Sequence, residues 1–114
     1  MTLTLDQVAA ALELTRETDA AGTREVTGAY CSDMLSDVMS RSRAGQVWLT
    51  IQGHQNVAAV ASLVGLAAVV ITGGRPASRE LIERAGDEGI AVFRTELTTF
   101  EAAGRLYALL QREM

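Results

Sequence analysis

Between Gly65 and Gly73 the chain reads Leu66-Ala67-Ala68-Val69-Val70-Ile71-Thr72, with no polar residue before Thr72. A strand with one wet face alternates apolar and polar side chains. One without alternation is covered on both faces, the habit of parallel strands held between helices. The run breaks at Gly73-Gly74, continues through Arg75-Pro76 and hands over to a helix predicted to begin near Ala77. The rest of the chain must therefore supply neighbours and cover for this one strand.

The neighbours are legible in the sequence. Glu25–Tyr30, Gln46–Ile51 and Ile90–Arg94 read as strands, and Thr2-Leu3 as a short one. Thr4 with Gln7 is spaced as a capping box ahead of a helix whose apolar face is Leu5, Val8, Ala9 and Leu12. Arg16 to Gly22 reads as a loop. Ser32 is the expected cap of a second helix, with Met34, Leu35, Val38 and Met39 as its buried stripe and Gly45 as the left-handed stop. A fourth helix is expected over Arg79–Ala85, with Leu81, Ile82 and Ala85 inward and Gly86 to Gly89 closing it. Thr98 and Glu101 repeat the capping-box spacing before a last helix with the predicted stripe Phe100, Ala103, Leu106, Tyr107 and Leu110.

The third helix, Val57 to Val64, is small and apolar nearly all round. Such a helix is buried on more than one side, by neighbouring helices or by a second copy of the chain. We expect a homodimer on this ground. Strands alternating with helices make the fold class α/β, a single domain over residues 1–114 with a mainly parallel sheet of four or five strands.

Composition narrows the function. All ten basic residues are arginine, so no lysine exists for a P-loop, a kinase strand or a Schiff base. The arginines are scattered and the formal net charge is −4, against a nucleic-acid surface. The longest apolar run falls far short of a membrane span and the N-terminus lacks the pattern of a signal peptide. The expected setting is soluble and cytoplasmic, where the single Cys31 is reduced, buried and inert. Trp48 and Phe93, inside strands, are expected in the core, and the scattered carboxylates around Ser32-Asp33 and Asp37 match no metal spacing, so no metal or cofactor is expected.

Ligands of parallel sheets bind beyond the carboxyl ends of the strands. At Thr72-Gly73-Gly74-Arg75 the glycines let backbone approach an anion, with free N–H groups at the following helix start and Arg75 as a clamp. The alternative is a tight turn with a solvated arginine. The only histidine and only asparagine stand together in Gly53-His54-Gln55-Asn56, suited to reading a base edge or ribose, or to capping a helix. Thr95, at the end of another strand, completes the candidate binding set.

The run Ile71-Thr72-Gly73-Gly74-Arg75-Pro76, the Glu80-Leu81-Ile82 helix, Gly89-Ile90-Ala91-Val92-Phe93-Arg94-Thr95 and Thr99-Phe100 together resemble the DRTGG domain family. That family is similar in turn to the N-terminal domain of HPr kinase/phosphorylase. Thr72, Gly73 and Gly74 fall on the last letters of its name. Ser32 to Met39 is similar to stand-alone members encoded near iron-only hydrogenase genes. The resemblance implies a three-layer α/β/α fold and a non-catalytic regulatory role, sensing a small anion such as an adenine nucleotide, or mediating dimerisation. Some relatives carry a serine kinase label, which a chain without lysine or a P-loop domain cannot earn. The alternatives are a purely structural domain that binds a protein partner without ligand, and a small enzyme using His54 as general base.

Overall fold

The structure, a computed structural model, describes residues 3–19 and 24–113. In chain order the elements are β1 (Leu3–Thr4), α1 (Leu5–Ala11), β2 (Thr15–Arg16), β3 (Glu25–Val26), β4 (Gly28–Cys31), α2 (Leu35–Arg41), β5 (Gln46–Thr50), α3 (Asn56–Val64), β6 (Ala68–Ile71), α4 (Arg79–Glu88), β7 (Val92–Arg94) and α5 (Thr99–Glu113). Five strands form one sheet in the order β2-β7-β6-β5-β4, while β1 and β3 form a separate antiparallel ribbon. The pairs β4–β5, β5–β6 and β6–β7 are parallel, with Trp48 opposite Tyr30 and Val69, and Val70 opposite Phe93. Only β2 runs antiparallel, at the edge against β7.

Two strand assignments change. Arg16, expected to open a loop, pairs with Phe93, and Thr15 before it with Arg94, because a two-residue edge strand is too short to show a period. Residues 20–22 of that expected loop lie outside the described residues. The expected strand Glu25–Tyr30 is broken at Thr27, and its halves join different sheets: Val26 pairs with Leu3, while Gly28 onward pairs with β5.

The pleat sorts the sheet residues into two cores. Val47, Leu49, Ala68, Val70 and Phe93 meet Leu5 and Val8 of α1, its cap residue Leu12, and Ala102, Leu106 and Leu109 of α5. Trp48, Val69, Ile71 and Val92 meet Val38 of α2, Val57, Ala58, Val60 and Ala61 of α3, and Leu81 and Ala85 of α4. Ala68–Ile71 is fully buried, as a strand with helices on both faces must be. This is the three-layer α/β/α arrangement, and none of the described helices is long and apolar enough to cross a membrane.

α3 lies between α2 and α4, which cover Val57, Ala58, Val60 and Ala61, while Leu63 stays 74% exposed. Most of the apolar surface that suggested a dimer is thus covered within the chain. Both capping boxes form: Thr4 N donates to Gln7 Oε1 at 2.8 Å, and Thr98 N to Glu101 Oε1 at 2.9 Å. α4 begins as expected after Ser78, whose hydroxyl accepts from Leu81 N at 3.0 Å, but it runs through Gly86 and stops at Gly89 (φ 70°). α2 starts late, at Leu35, because Ser32 accepts from Met34 N and closes a turn before the helix. Val38 alone of its expected stripe is buried; Met34 and Met39 are exposed.

α5 is rotated from its expected setting. Its core line is Ala102, Leu106 and Leu109, while Phe100 is 87% and Tyr107 66% exposed. The helix has apolar residues on two flanks, and small Ala102 is the one that lets it sit down on the sheet. Cys31 is exposed rather than buried, since β4 is a sheet edge. Partial burial of its thiol and the nearby charge of Asp33 still raise its pKa, which keeps it a poor nucleophile.

Candidate functional site

The β5 and β6 strands end side by side, and their loops are joined by one close backbone approach. A Cβ placed on Gly53 would lie 2.1 Å from the carbonyl oxygen of Pro76, so only glycine fits there. The Gly53 carbonyl accepts from Ser78 N at 2.8 Å, fixing the loop after β5 to the cap of α4. Between these loops opens a hollow of about 350 Å³ lined by Ile51, Gln52, Gly53, His54, Arg75, Pro76 and Ser78. Asp33 braces its floor: one carboxylate oxygen accepts from Thr50 Oγ1 and from Ile51 N, each at 2.9 Å. Its carbonyl accepts from Gln52 Nε2 at 3.1 Å.

The structure thus brings Arg75 and the Gly53-His54 corner together. Both side chains are exposed, and no ion pair or hydrogen bond of the Arg75 guanidinium occurs among the described residues. Gln55 and Asn56 open α3 beside them, both exposed. The expected asparagine cap is not made: the cap position is Gln55, in helical conformation and without a side-chain bond, and the first turn is tied by Val57 N to the His54 carbonyl at 3.1 Å. No carboxylate among the described residues orients the His54 ring, so the arrangement lacks the base-orienting partner that general-base chemistry uses.

The Gly73-Gly74 corner is occupied by the chain itself. α4 leaves β6 toward one face of the sheet and α5 leaves β7 toward the other, so the two loops diverge, the geometry in which α/β sheets open a binding crevice. Here that crevice is laced shut. Gly73 N donates to the Leu97 carbonyl at 2.7 Å and Gly74 N to the Thr95 carbonyl at 2.9 Å, from backbones with φ of 71° and 69°. Thr72, fully buried, shares a 2.6 Å hydroxyl contact with Thr99. The Glu96 carboxylate lies so close to Gly74 that a Cβ there would stand 2.8 Å from it. Neither glycine N–H is free for an anion.

Thr95 is buried and does not line the hollow beside Arg75, although its carbonyl holds Gly74 N. Its hydroxyl accepts from Leu97 N at 3.1 Å, and it lines a different hollow, about 250 Å³, with Glu13, Thr15, Arg94, Glu96, Leu97 and Glu101. Three carboxylates in that wall disfavour an anion. Hydrogen bonds from Thr98 hold the Glu101 pKa below the usual value. On the opposite side, Tyr30 donates to Asp37 at 2.8 Å and lowers that carboxyl likewise. Among the described residues no three His, Cys, Asp or Glu side chains converge to hold a metal ion.

A family model for the DRTGG domain matches residues 8–109. The chain belongs to the DRTGG domain family. A search of curated proteins finds no match for it. Among solved structures, this DRTGG domain is similar to the CBS and DRTGG domains of the regulatory region of Clostridium perfringens pyrophosphatase, complexed with the activator diadenosine tetraphosphate. The TM-score is 0.74 at 20% identity, over 95% of this chain and 46% of that one. This DRTGG domain therefore spans about half of that regulatory-region chain, and the likeness is one of fold.

Proposed function

We propose that this DRTGG domain is a non-catalytic regulatory module that dimerises and senses a small anion, an adenine nucleotide, in the hollow between Gly53-His54 and Arg75. The observation that carries the reading is an arginine without an ion pair among the described residues, facing the chain's only histidine across a hollow at the strand ends. Arg75 supplies a fork of donors for phosphate or carboxylate, and His54, Gln55 and Asn56 supply polar edges for a base or ribose. Thr72, Gly73, Gly74 and Thr95 serve the site from behind, as the laced wall that fixes where Arg75 emerges. That a pyrophosphatase regulatory region of related fold was captured with a dinucleotide activator supports the ligand class.

Thermal-shift measurements against AMP, ADP, ATP and diadenosine tetraphosphate test it. Wild type is expected to gain stability with at least one of them, and Arg75→Ala to lose that gain while keeping its unliganded melting temperature. If no nucleotide shifts wild type, the second reading stands: a protein-interaction domain without ligand. The sealed Gly73-Gly74 corner favours that reading, because it removes the two N–H groups best placed for phosphate.

A further inference from the structure

β5 ends at Thr50, and the chain leaves the sheet through Ile51 and Gln52, both of which line the hollow beside Arg75. Gln52 is held there by backbone and side chain alike. Its backbone N–H donates to the Thr50 hydroxyl at 3.1 Å, and its side-chain Nε2 donates to the Asp33 carbonyl at 3.1 Å. That carbonyl is itself fixed. The peptide group that carries it gives its N–H, from Met34, to the Ser32 hydroxyl at 3.2 Å, and the Ser32 carbonyl before it accepts from the indole Nε1 of fully buried Trp48 at 2.8 Å. The Asp33 carboxylate adds its bonds from Thr50 Oγ1 and Ile51 N. The loops after β4 and β5 are therefore zipped together, and a long side chain at their seam is tethered by its tip.

The tether settles which end of the amide is which. A carbonyl accepts only from an N–H, so Nε2 faces Asp33 and Oε1 is the end left over. Oε1 makes no hydrogen bond among the described residues, and Nε2 has a second N–H to give. A planar group that offers an acceptor and a donor side by side is the complement of the adenine edge, where the 6-amino group donates and the neighbouring ring nitrogen accepts. We infer that Gln52 is the base-reading residue of the hollow and selects a 6-aminopurine. This rests on the nucleotide reading given above, and it names the residue and the chemistry behind the choice of base.

Two comparisons favour Gln52 for the role. His54, Gln55 and Asn56 make no side-chain hydrogen bond among the described residues, so a base gripped by them must first order an unanchored side chain, whereas Gln52 is already in place. Guanine presents a carbonyl oxygen where adenine presents its amino group. A free glutamine would turn its amide over to suit; this one is held by Asp33. Arg75, the one arginine lining the hollow, matches one phosphoryl group, so nucleoside monophosphates are the fitting probes.

Calorimetric titration of wild type and Gln52→Ala with AMP, GMP and purine riboside 5′-monophosphate, which lacks the amino group, tests the assignment. Wild type is expected to bind AMP about tenfold more tightly than either of the others. Gln52→Ala loses one solvent-facing side-chain bond and keeps the backbone bond to Thr50, so it is expected to melt as wild type does and to bind all three alike, at the strength of the weaker pair. Equal binding of the three by wild type, a preference for GMP, or any outcome in Gln52→Ala other than equal weak binding overturns the role of Gln52 and leaves the nucleotide reading standing. Binding of none by wild type overturns both.

Discussion

The contact between Gly53 and Pro76 allows a stability prediction with a built-in control. In Gly53→Ala the new methyl would sit 2.1 Å from a backbone carbonyl oxygen and 3.2 Å from its carbon, with no flexible side chain to give way. Relief requires the two loops to part, which stretches the Ser78 N to Gly53 carbonyl bond of 2.8 Å. Overpacking costs about 1–3 kcal/mol and the bond about 1 kcal/mol, offset by about 0.5 kcal/mol because alanine restricts the unfolded chain. The net loss is about 1.5–3.5 kcal/mol, or about 10 °C in melting temperature for a chain of this size. Gly73→Ala is the control. Its Cβ meets nothing within 4 Å, so only the left-handed φ of 71° resists it, a cost of about 1 kcal/mol after the same offset. Urea melts at one protein concentration read both. If Gly53→Ala loses no more than Gly73→Ala, the loops are not locked together and the hollow beside Arg75 has no fixed wall.

Two further outcomes follow from single hydrogen-bonded groups. Thr18 Oγ1 donates to the Ile90 carbonyl at 2.7 Å and accepts from Val92 N at 2.9 Å, both buried, so Thr18→Val is expected to cost about 2 kcal/mol in urea melts; a loss under about 0.5 kcal/mol refutes the pairing. The Asp37 carboxyl is lowered first by the Tyr30 hydroxyl, so its stabilisation is complete above its unfolded pKa and is lost as pH falls through the lower folded value. Tyr30→Phe is accordingly expected to shrink the drop in stability below about pH 4, and an unchanged acid limb in a pH series of melts counts against it.

What was legible in the sequence was whatever depends on neighbours in the chain. The unbroken Ala68–Ile71 run, both capping boxes and the stop of α4 at Gly89 are local signals, and each is where its residues put it, whereas Gly45 is left-handed (φ 86°) but stands past the end of α2, whose cap is Ser42. Phe100 and Tyr107 show the limit. Periodicity says that α5 has an apolar flank, but two flanks qualify, and only the fit of Ala102 against the sheet decides which one is buried. Asp33 shows it again: its partners Thr50 and Ile51 lie 17 and 18 residues away, so no spacing rule reveals that it braces the candidate site. The pairing of β2 with β7, 77 residues apart in the Glu17–Arg94 ion pair that extends it, is of the same kind.

The fate of the Gly73-Gly74 pair bears most directly on function. Read along the chain, two glycines after a buried strand are a place for an anion. In three dimensions they are the place where the loops leaving for opposite faces of the sheet are tied together, each glycine donating its N–H to the loop after β7. A nucleotide bound at Arg75 would therefore pull on a loop whose other attachments run through Thr95, Leu97 and Thr99 to the start of α5. The nucleotide hollow and the start of α5 are thus joined by one short run of hydrogen bonds, and coupling between nucleotide binding and dimerisation requires only that the lacing have two arrangements, one with the nucleotide and one without. Measuring the dimer dissociation constant with and without nucleotide decides it: equal values mean that the lacing is a fixed seam, and by reciprocity that dimerisation leaves nucleotide affinity unchanged.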